Sequence, residues 1–422
     1  MSTPKLHLLT LVCTALFGAA AHAQTNYDES KVPDYELPEL LRTQQGKAIA
    51  TTADWESTVR PELLRLFTEQ VYGQMPEAIS ALDFEVFDEE VALDGRAIRK
   101  QVRLRFSRNG QSHEVSLLIY LPAAAEKPVP LFLGLNFYGN HTIHADPNIA
   151  ISEAWVPNNN RFCISGNRAD EVSRGVRSYR WPVERLLARG YGLATVYCGD
   201  IDPDFDDGFE NGVHSLFQGD EAEKAKWSTI SAWAWGLSGA MNYLEEDAQV
   251  DGQRVAVIGH SRLGKAALWA GATDERFALV VSNDSGCGGA ALSRRRFGET
   301  LKDINGNFPH WFCDNFKQYN GREDDLPVDQ HQLLALVAPR PLYVASAQQD
   351  EWADPRGEYL SLYHAAAVYQ LYEHEAVLNR MSPAVNTPVY AAQLGYHIRT
   401  GTHDITRYDW ERYMDFADRA FE

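Results

Sequence analysis

The chain has 422 residues, with 39 Lys and Arg against 58 Asp and Glu, a formal charge of −19. Hydrophobic residues make up 45% and aromatics 11%, enough for a large buried core, which excludes a disordered, collagen-like or small disulfide-stapled chain. The acidic balance lacks the basic footprint of a nucleic-acid binder and gives no attraction to anionic membranes.

The N-terminus reads as a secretory leader. Lys5 is its only charged side chain, an apolar run covers Leu8 to Ala20, and Ala21-His22-Ala23 is a small-x-small cleavage site. Cleavage after Ala23 removes one Lys and no acid, giving 38 − 58 = −20, and implies a secreted or periplasmic protein. No later apolar run approaches the roughly 20 residues of a membrane span. Cys163, Cys198, Cys287 and Cys313 then remain. An even count in an oxidising compartment permits two disulfides. Local closure favours Cys163–Cys198 and Cys287–Cys313, with four buried thiols as the alternative. No C-x-x-C or paired Cys/His spacing points to zinc, and no metal is expected.

Residues 24–54 are expected to form a surface arm, polar and proline-containing over Thr25 to Pro38. Pro61 opens a helical pattern through Leu63, Leu64, Phe67 and Val71. Alternating runs at Phe84–Leu93, Ile98–Phe106 and Val115–Leu121, with an Asn109-Gly110 turn, predict an antiparallel sheet edge. From Pro130 short apolar strands alternate with helices. Strands are expected at Leu131–Leu135, Leu193–Tyr197, Val255–Ile258, Leu279–Val281 and Leu342–Ala345. Helices are expected at Trp181–Arg189, Ser228–Leu244, Leu263–Ala270, Gln330–Leu336 and Tyr408–Phe416. This rhythm predicts one α/β domain over residues 24–422, a mainly parallel sheet with helices on both faces. The acidic loop Asp200–Glu210 lacks the glycine and the terminal Glu of a calcium loop, and reads as solvated. No phosphate-binding glycine loop follows any predicted strand.

The chemistry lies in Val255-Ala256-Val257-Ile258-Gly259-His260-Ser261-Arg262-Leu263-Gly264-Lys265. A buried strand runs into a glycine-flanked serine and directly into a helix, the context of a nucleophile elbow in an α/β-hydrolase. The base in this fold comes last in the chain, so His397 and His403 are the candidates, and the Gly401-Thr402-His403 loop before the terminal helix favours His403. The acid is either Asp350, after strand Leu342–Ala345, or Asp284, after strand Leu279–Val281. Two cations, Arg262 and Lys265, stand on the first helical turn, where the helix dipole disfavours positive charge, which points to function.

These motifs resemble those of the glucuronoyl esterases, carbohydrate esterase family 15. The resemblance rests on Gly259-His260-Ser261-Arg262-Leu263-Gly264-Lys265 and on Ser285-Gly286-Cys287-Gly288-Gly289 continuing to Phe297-Gly298-Glu299. It extends to Phe308-Pro309-His310-Trp311-Phe312-Cys313 and Trp352-Ala353-Asp354-Pro355-Arg356-Gly357-Glu358. It is closer to the bacterial branch, because fungal members carry Cys at the position of His260. It implies a cofactor-free serine esterase that cleaves esters between the glucuronic acid side groups of xylan and the alcohols of lignin. It implies Ser261 as nucleophile, His403 as base and Arg262 at the oxyanion, with Lys265, Glu299 and Trp352 against the sugar. Many members carry Glu where this chain has Asp284, and some bacterial members use the acid matching Asp350. Rival expectations are an acetyl-xylan or other carbohydrate esterase, or an inactive polysaccharide-binding protein on the same scaffold. The expected partner is the lignin–carbohydrate ester alone, bound by a monomer.

Overall fold

The computed structural model describes residues 25–76, 81–217 and 227–421. The predicted leader lies outside them. Ten strands form one sheet: β1 Ala81–Ala92, β2 Ala97–Arg108, β3 Gln111–Pro122, β4 Val129–Asn136, β5 Gly192–Tyr197, β6 Val250–His260, β7 Leu279–Asn283, β8 Leu342–Ala347, β9 Val389–Ala391 and β10 Leu394–Arg399. Their spatial order is β1-β2-β3-β5-β4-β6-β7-β8-β10-β9. The expected antiparallel edge is β1 to β3, closed by Asn109 and Gly110, both at positive φ as a tight hairpin turn needs. From β5 through β4, β6, β7 and β8 to β10 every pairing is parallel.

Alternation of side chains separates two cores. Val255 and Val257 of β6 face one apolar cluster, while Ala256 and Ile258 face the other. Helices α1 Arg60–Phe67, α3 Thr229–Glu246, α4 Arg262–Thr273, α5 Leu301–Asn307, α6 Gln330–Ala335 and α7 Pro355–Leu371 contribute to the first cluster. Helices α2 Val183–Ala188 and α8 Arg407–Phe421 cover the second. Buried on both faces, the central strands read as continuous apolar runs, which is why they were legible. Among the described residues no helix is long and apolar enough to cross a membrane.

Two elements escape the pattern. In β10, Gly395, His397 and Arg399 interrupt the apolar run. Yet a Cβ on Gly395 would lie 2.2 Å from the Tyr343 ring, and Asp409 pairs with both His397 and Arg399. Helix α7 is apolar around most of its circumference because it packs against both α6 and β8, so it lacks an amphipathic stripe.

The disulfide expectation is overturned. All four cysteines are free thiols: Cys163 is exposed on a loop at φ 57, whereas Cys198, Cys287 and Cys313 are buried. Proximity in sequence did not become proximity in space, and burial pushes the Cys198 and Cys287 thiols up, away from thiolate chemistry. The solvated reading of the acidic loop also fails for its first half. Asp200 and Asp202 are buried, the latter against His214 at 3.0 Å.

The arm of residues 25–38 lies along the rim of the parallel region. Glu29 reaches Arg295 at 2.7 Å and Arg356 at 3.2 Å, and the Asn26 carbonyl accepts from the Gly298 N–H.

Candidate active site

Ser261 joins β6 to α4 at φ 59 and ψ −132, a left-handed conformation that a side-chain-bearing residue adopts only when the surroundings enforce it. Its N–H is held by the Asn283 carbonyl of β7 at 2.9 Å. The two glycines have separate reasons. A Cβ on Gly259 would stand 1.9 Å from the Leu263 carbonyl oxygen, so the helix start crosses directly over it. A Cβ on Gly264 would meet Ser285 at 3.0 Å and the Gly259 carbonyl at 3.1 Å. The crossing point falls three residues after the serine, which accounts for the G-x-S-x-x-G spacing.

Because β6, β7, β8 and β10 run parallel, the residues that follow them gather at one edge of the sheet. Ser261, Asp284, Asp350 and His403 are those residues. His403 Nδ1 lies 2.5 Å from Asp350 Oδ2, with the imidazole 42% exposed and the carboxylate buried. The His403 ring sits on the His260 ring at 4.6 Å between centroids, which brings it over the residue preceding Ser261. His260 bonds Asn283 Oδ1 through Nδ1 at 2.6 Å, and burial, reinforced by His403 and Arg180, draws its ring well below the usual imidazole range.

Asp284 is the other acid, at φ 45 and fully buried. One oxygen lies 3.5 Å from Arg399 Nη2, and the other has no hydrogen-bond partner. Burial, then Glu358 and Asp350, push its carboxyl well up, while Arg399 only partly opposes them. Single ligand-type atoms of Asp284, Asp350 and His403 lie within 4.8 Å of one another, so Asp284 stands behind the Asp350–His403 pair. His397 lies inside β10, completely buried between Tyr343 at 2.9 Å and Asp409 at 2.8 Å, and packs the core.

Neither cation on the first turn of α4 is free. Arg262 Nε lies 2.7 Å from Asp204 Oδ2, with its guanidinium between the rings of Phe137 at 4.9 Å and Trp311 at 5.4 Å. Asp204 also accepts from His310 Nε2 at 3.1 Å and Trp311 Nε1 at 2.8 Å. Burial alone would raise its carboxyl, but Arg262 and these two donors hold it below the usual range. Lys265 is buried, with Nζ donating to the Ser285 carbonyl at 2.6 Å and lying 5.6 Å from the Trp311 ring. Burial pulls its ammonium down, opposed by Glu299. Glu299 is pushed up to about 7 by burial, against Lys265 and a hydrogen bond from Trp352. The Trp352 indole is 38% exposed, and its carbonyl accepts the Glu299 N–H at 3.0 Å.

The sequence reading missed Asp204, His310, Trp311 and Phe137 as members of this cluster. The alternation Asp200, Asp202, Asp204 carried a signal, since a loop with period-two acids directly after a buried strand can turn every second one inward.

A strained serine between a parallel strand and a helix, with a histidine–carboxylate pair delivered by later strands to the same edge, defines an α/β-hydrolase. Comparison with known proteins narrows this further. A family model described as "Glucuronyl esterase, fungi" matches residues 213–372. The chain is 51% identical over 396 residues to Carbohydrate esterase MZ0003 of an unknown prokaryotic organism, covering 93% of this chain and 91% of that one. The solved structure of a promiscuous CE15 esterase from a marine bacterial metagenome superposes with a TM-score of 0.89 at 50% identity, covering 94% of this chain and all of the other. A glucuronoyl esterase from Solibacter usitatus superposes with a TM-score of 0.87 at 46% identity, covering 93% of this chain and all of the other. The chain belongs to carbohydrate esterase family 15, the glucuronoyl esterases.

Proposed function

We propose that the protein hydrolyses esters of glucuronic and 4-O-methyl-glucuronic acid, the side groups through which xylan is joined to lignin alcohols, by way of an acyl-enzyme on Ser261. The observation that carries this reading is the Asp350–His403 pair beside the Ser261 elbow, with Arg262 and Lys265 on the helix turn that follows. His403 takes the Ser261 proton as the oxygen attacks the ester carbonyl, and Asp350 orients the ring and stabilises the imidazolium. Charge then develops on the carbonyl oxygen. The Arg262 N–H at the helix start meets it, since first-turn N–H groups have no acceptor inside the helix. The Arg262 guanidinium, paired through Nε with Asp204, adds its positive charge beside the serine. The alcohol leaves with the proton from His403. Water, deprotonated by His403, then releases the uronic acid and restores Ser261.

Lys265, Glu299 and Trp352 form the wall that receives the sugar: an ammonium and a carboxyl for hydroxyl groups, and an exposed indole for the apolar ring face. The promiscuity in the description of the metagenomic relative supports a broader range of esters for this chain as well. The apolar run Leu8 to Ala20 followed by Ala21-His22-Ala23 supports action outside the cytoplasm.

The test is a comparison of benzyl glucuronate with acetylated xylan, for the native protein and Ser261→Ala. Faster release of acetate would overturn the glucuronoyl preference, and ester turnover surviving in Ser261→Ala would overturn the nucleophile. Oligosaccharide binding without turnover in the native protein would make it a binding protein.

A further inference from the structure

Beside His260, in the cavity that it lines, lies a second concentration of positive charge. Arg177 is 94% buried, with 6% of its surface exposed. Its Nη1 donates to the Tyr179 hydroxyl at 2.5 Å, and its guanidinium lies over Phe162 at 4.5 Å and Tyr138 at 5.6 Å. No carboxylate oxygen of the described residues lies within 4.0 Å of it. Arg180, three residues on, is paired with Asp404. Two guanidinium groups therefore share one carboxylate, leaving one positive charge unbalanced in a buried place. Such a charge is costly without a counter-ion. Burial, and after it Arg180, pull the Arg177 guanidinium down to about 10, as uncompensated charge requires.

Both arginines line a small cavity together with Asn136, Phe137, His260 and Trp410. The Asn136 amide N–H groups are already used, on Asn140 at 2.7 Å and Thr195 at 3.1 Å, so the guanidinium groups are the strong donors that remain for an occupant. Size decides the class of ligand. The enclosed part of the cavity offers about 20 Å³ of room, enough for one water-sized particle, while its outer part is open to solvent.

We propose that Arg177 and Arg180 hold a single small monovalent anion, of the size of chloride or bromide, in this cavity beneath the catalytic edge. The site neighbours His403 through two contacts: the His260 ring on which His403 rests, and Asp404, which follows it in the chain. His403 also faces Asp350, with Asp284 and Arg399 behind.

Two measurements on the full protein test it. Crystals of the native protein soaked in sodium bromide should show an anomalous peak between the two guanidinium groups, absent in Arg177→Gln. In solution, native protein should broaden the chloride-35 resonance, and the broadening should fall at least severalfold in Arg177→Gln. Density without anomalous signal, meaning water, overturns the proposal. So does broadening that is the same in both proteins. The bromide soak needs no variant, so a poorly folded Arg177→Gln does not shield the proposal from refutation.

Discussion

Replacing Asp204 by Asn keeps the shape of the side chain and removes its charge. The amide oxygen can still accept from Trp311 or His310, but the ion pair with Arg262 Nε at 2.7 Å is lost. Close charge pairs couple by about 1.5–7 kcal/mol, and for this pair, with Arg262 25% and Asp204 13% exposed, the lower part of that range, about 1.5–3 kcal/mol, applies. If that energy serves to aim the guanidinium at the developing oxyanion, kcat falls about 10- to 150-fold, at about 1.4 kcal/mol per factor of ten. KM for benzyl glucuronate stays nearly constant, because Lys265, Glu299 and Trp352 keep their own partners. Arg262→Gln itself should lose roughly 100- to 1000-fold, the range for removing one oxyanion donor. The decisive assay is the full cycle: steady-state rates for native, Asp204→Asn, Arg262→Gln and the double variant, with thermal melts to establish folding. Acting through Arg262, the Asn substitution should cost almost nothing further once Arg262 is gone. Losses that simply multiply would refute the reasoning, as would full activity of Asp204→Asn alone.

The two acids should separate in the same assay. Asp350→Asn removes the acceptor that orients His403 and should lower kcat roughly 1000- to 10,000-fold. Asp284, whose carboxyl burial pushes well up, is replaced by an amide of the same shape in Asp284→Asn, and this variant should lose less than about tenfold; the reverse order would make Asp284 the triad acid. Glu358 gives a pH prediction. Buried, and accepting from the Ser346 hydroxyl at 2.6 Å and the Gly286 N–H at 2.9 Å, it is pushed up to about 8 from its ordinary 4.5. Between those values the folded chain holds a proton that the unfolded chain has released. Its contribution to stability is therefore full below about 4.5 and declines as pH rises through 8. Denaturant midpoints should follow that fall, and Glu358→Gln should flatten it; an equal slope in both proteins would refute it. Thiol titration checks the cysteines. Without the leader, the native protein should expose one reactive thiol, Cys163, and the unreduced unfolded chain four.

How much of this was legible follows from physical causes. The parallel strands were readable because burial on both faces demands unbroken apolar runs, and the hairpin because Asn109-Gly110 tolerates positive φ. The elbow was readable because only glycine leaves room where Leu263 crosses Gly259. Those constraints act within a few residues, so the chain by itself determines the sheet, its antiparallel edge and the position of Ser261. The choice between Asp284 and Asp350 as partner of His403 was not open to the sequence, since both follow neighbouring parallel strands. Side-chain direction and the competing claim of Arg399 decided it in three dimensions. The same holds for Asp204, 58 residues before Arg262 and 107 before Trp311, whose burial turned an apparent solvent loop into the anchor of Arg262. Four cysteines after an expected leader suggested bridges, but only the packing shows that the thiols stay free. Local sterics are written in adjacent residues. The pairing of charges depends on which distant segments the sheet brings together, and that information exists only once the strands are assembled.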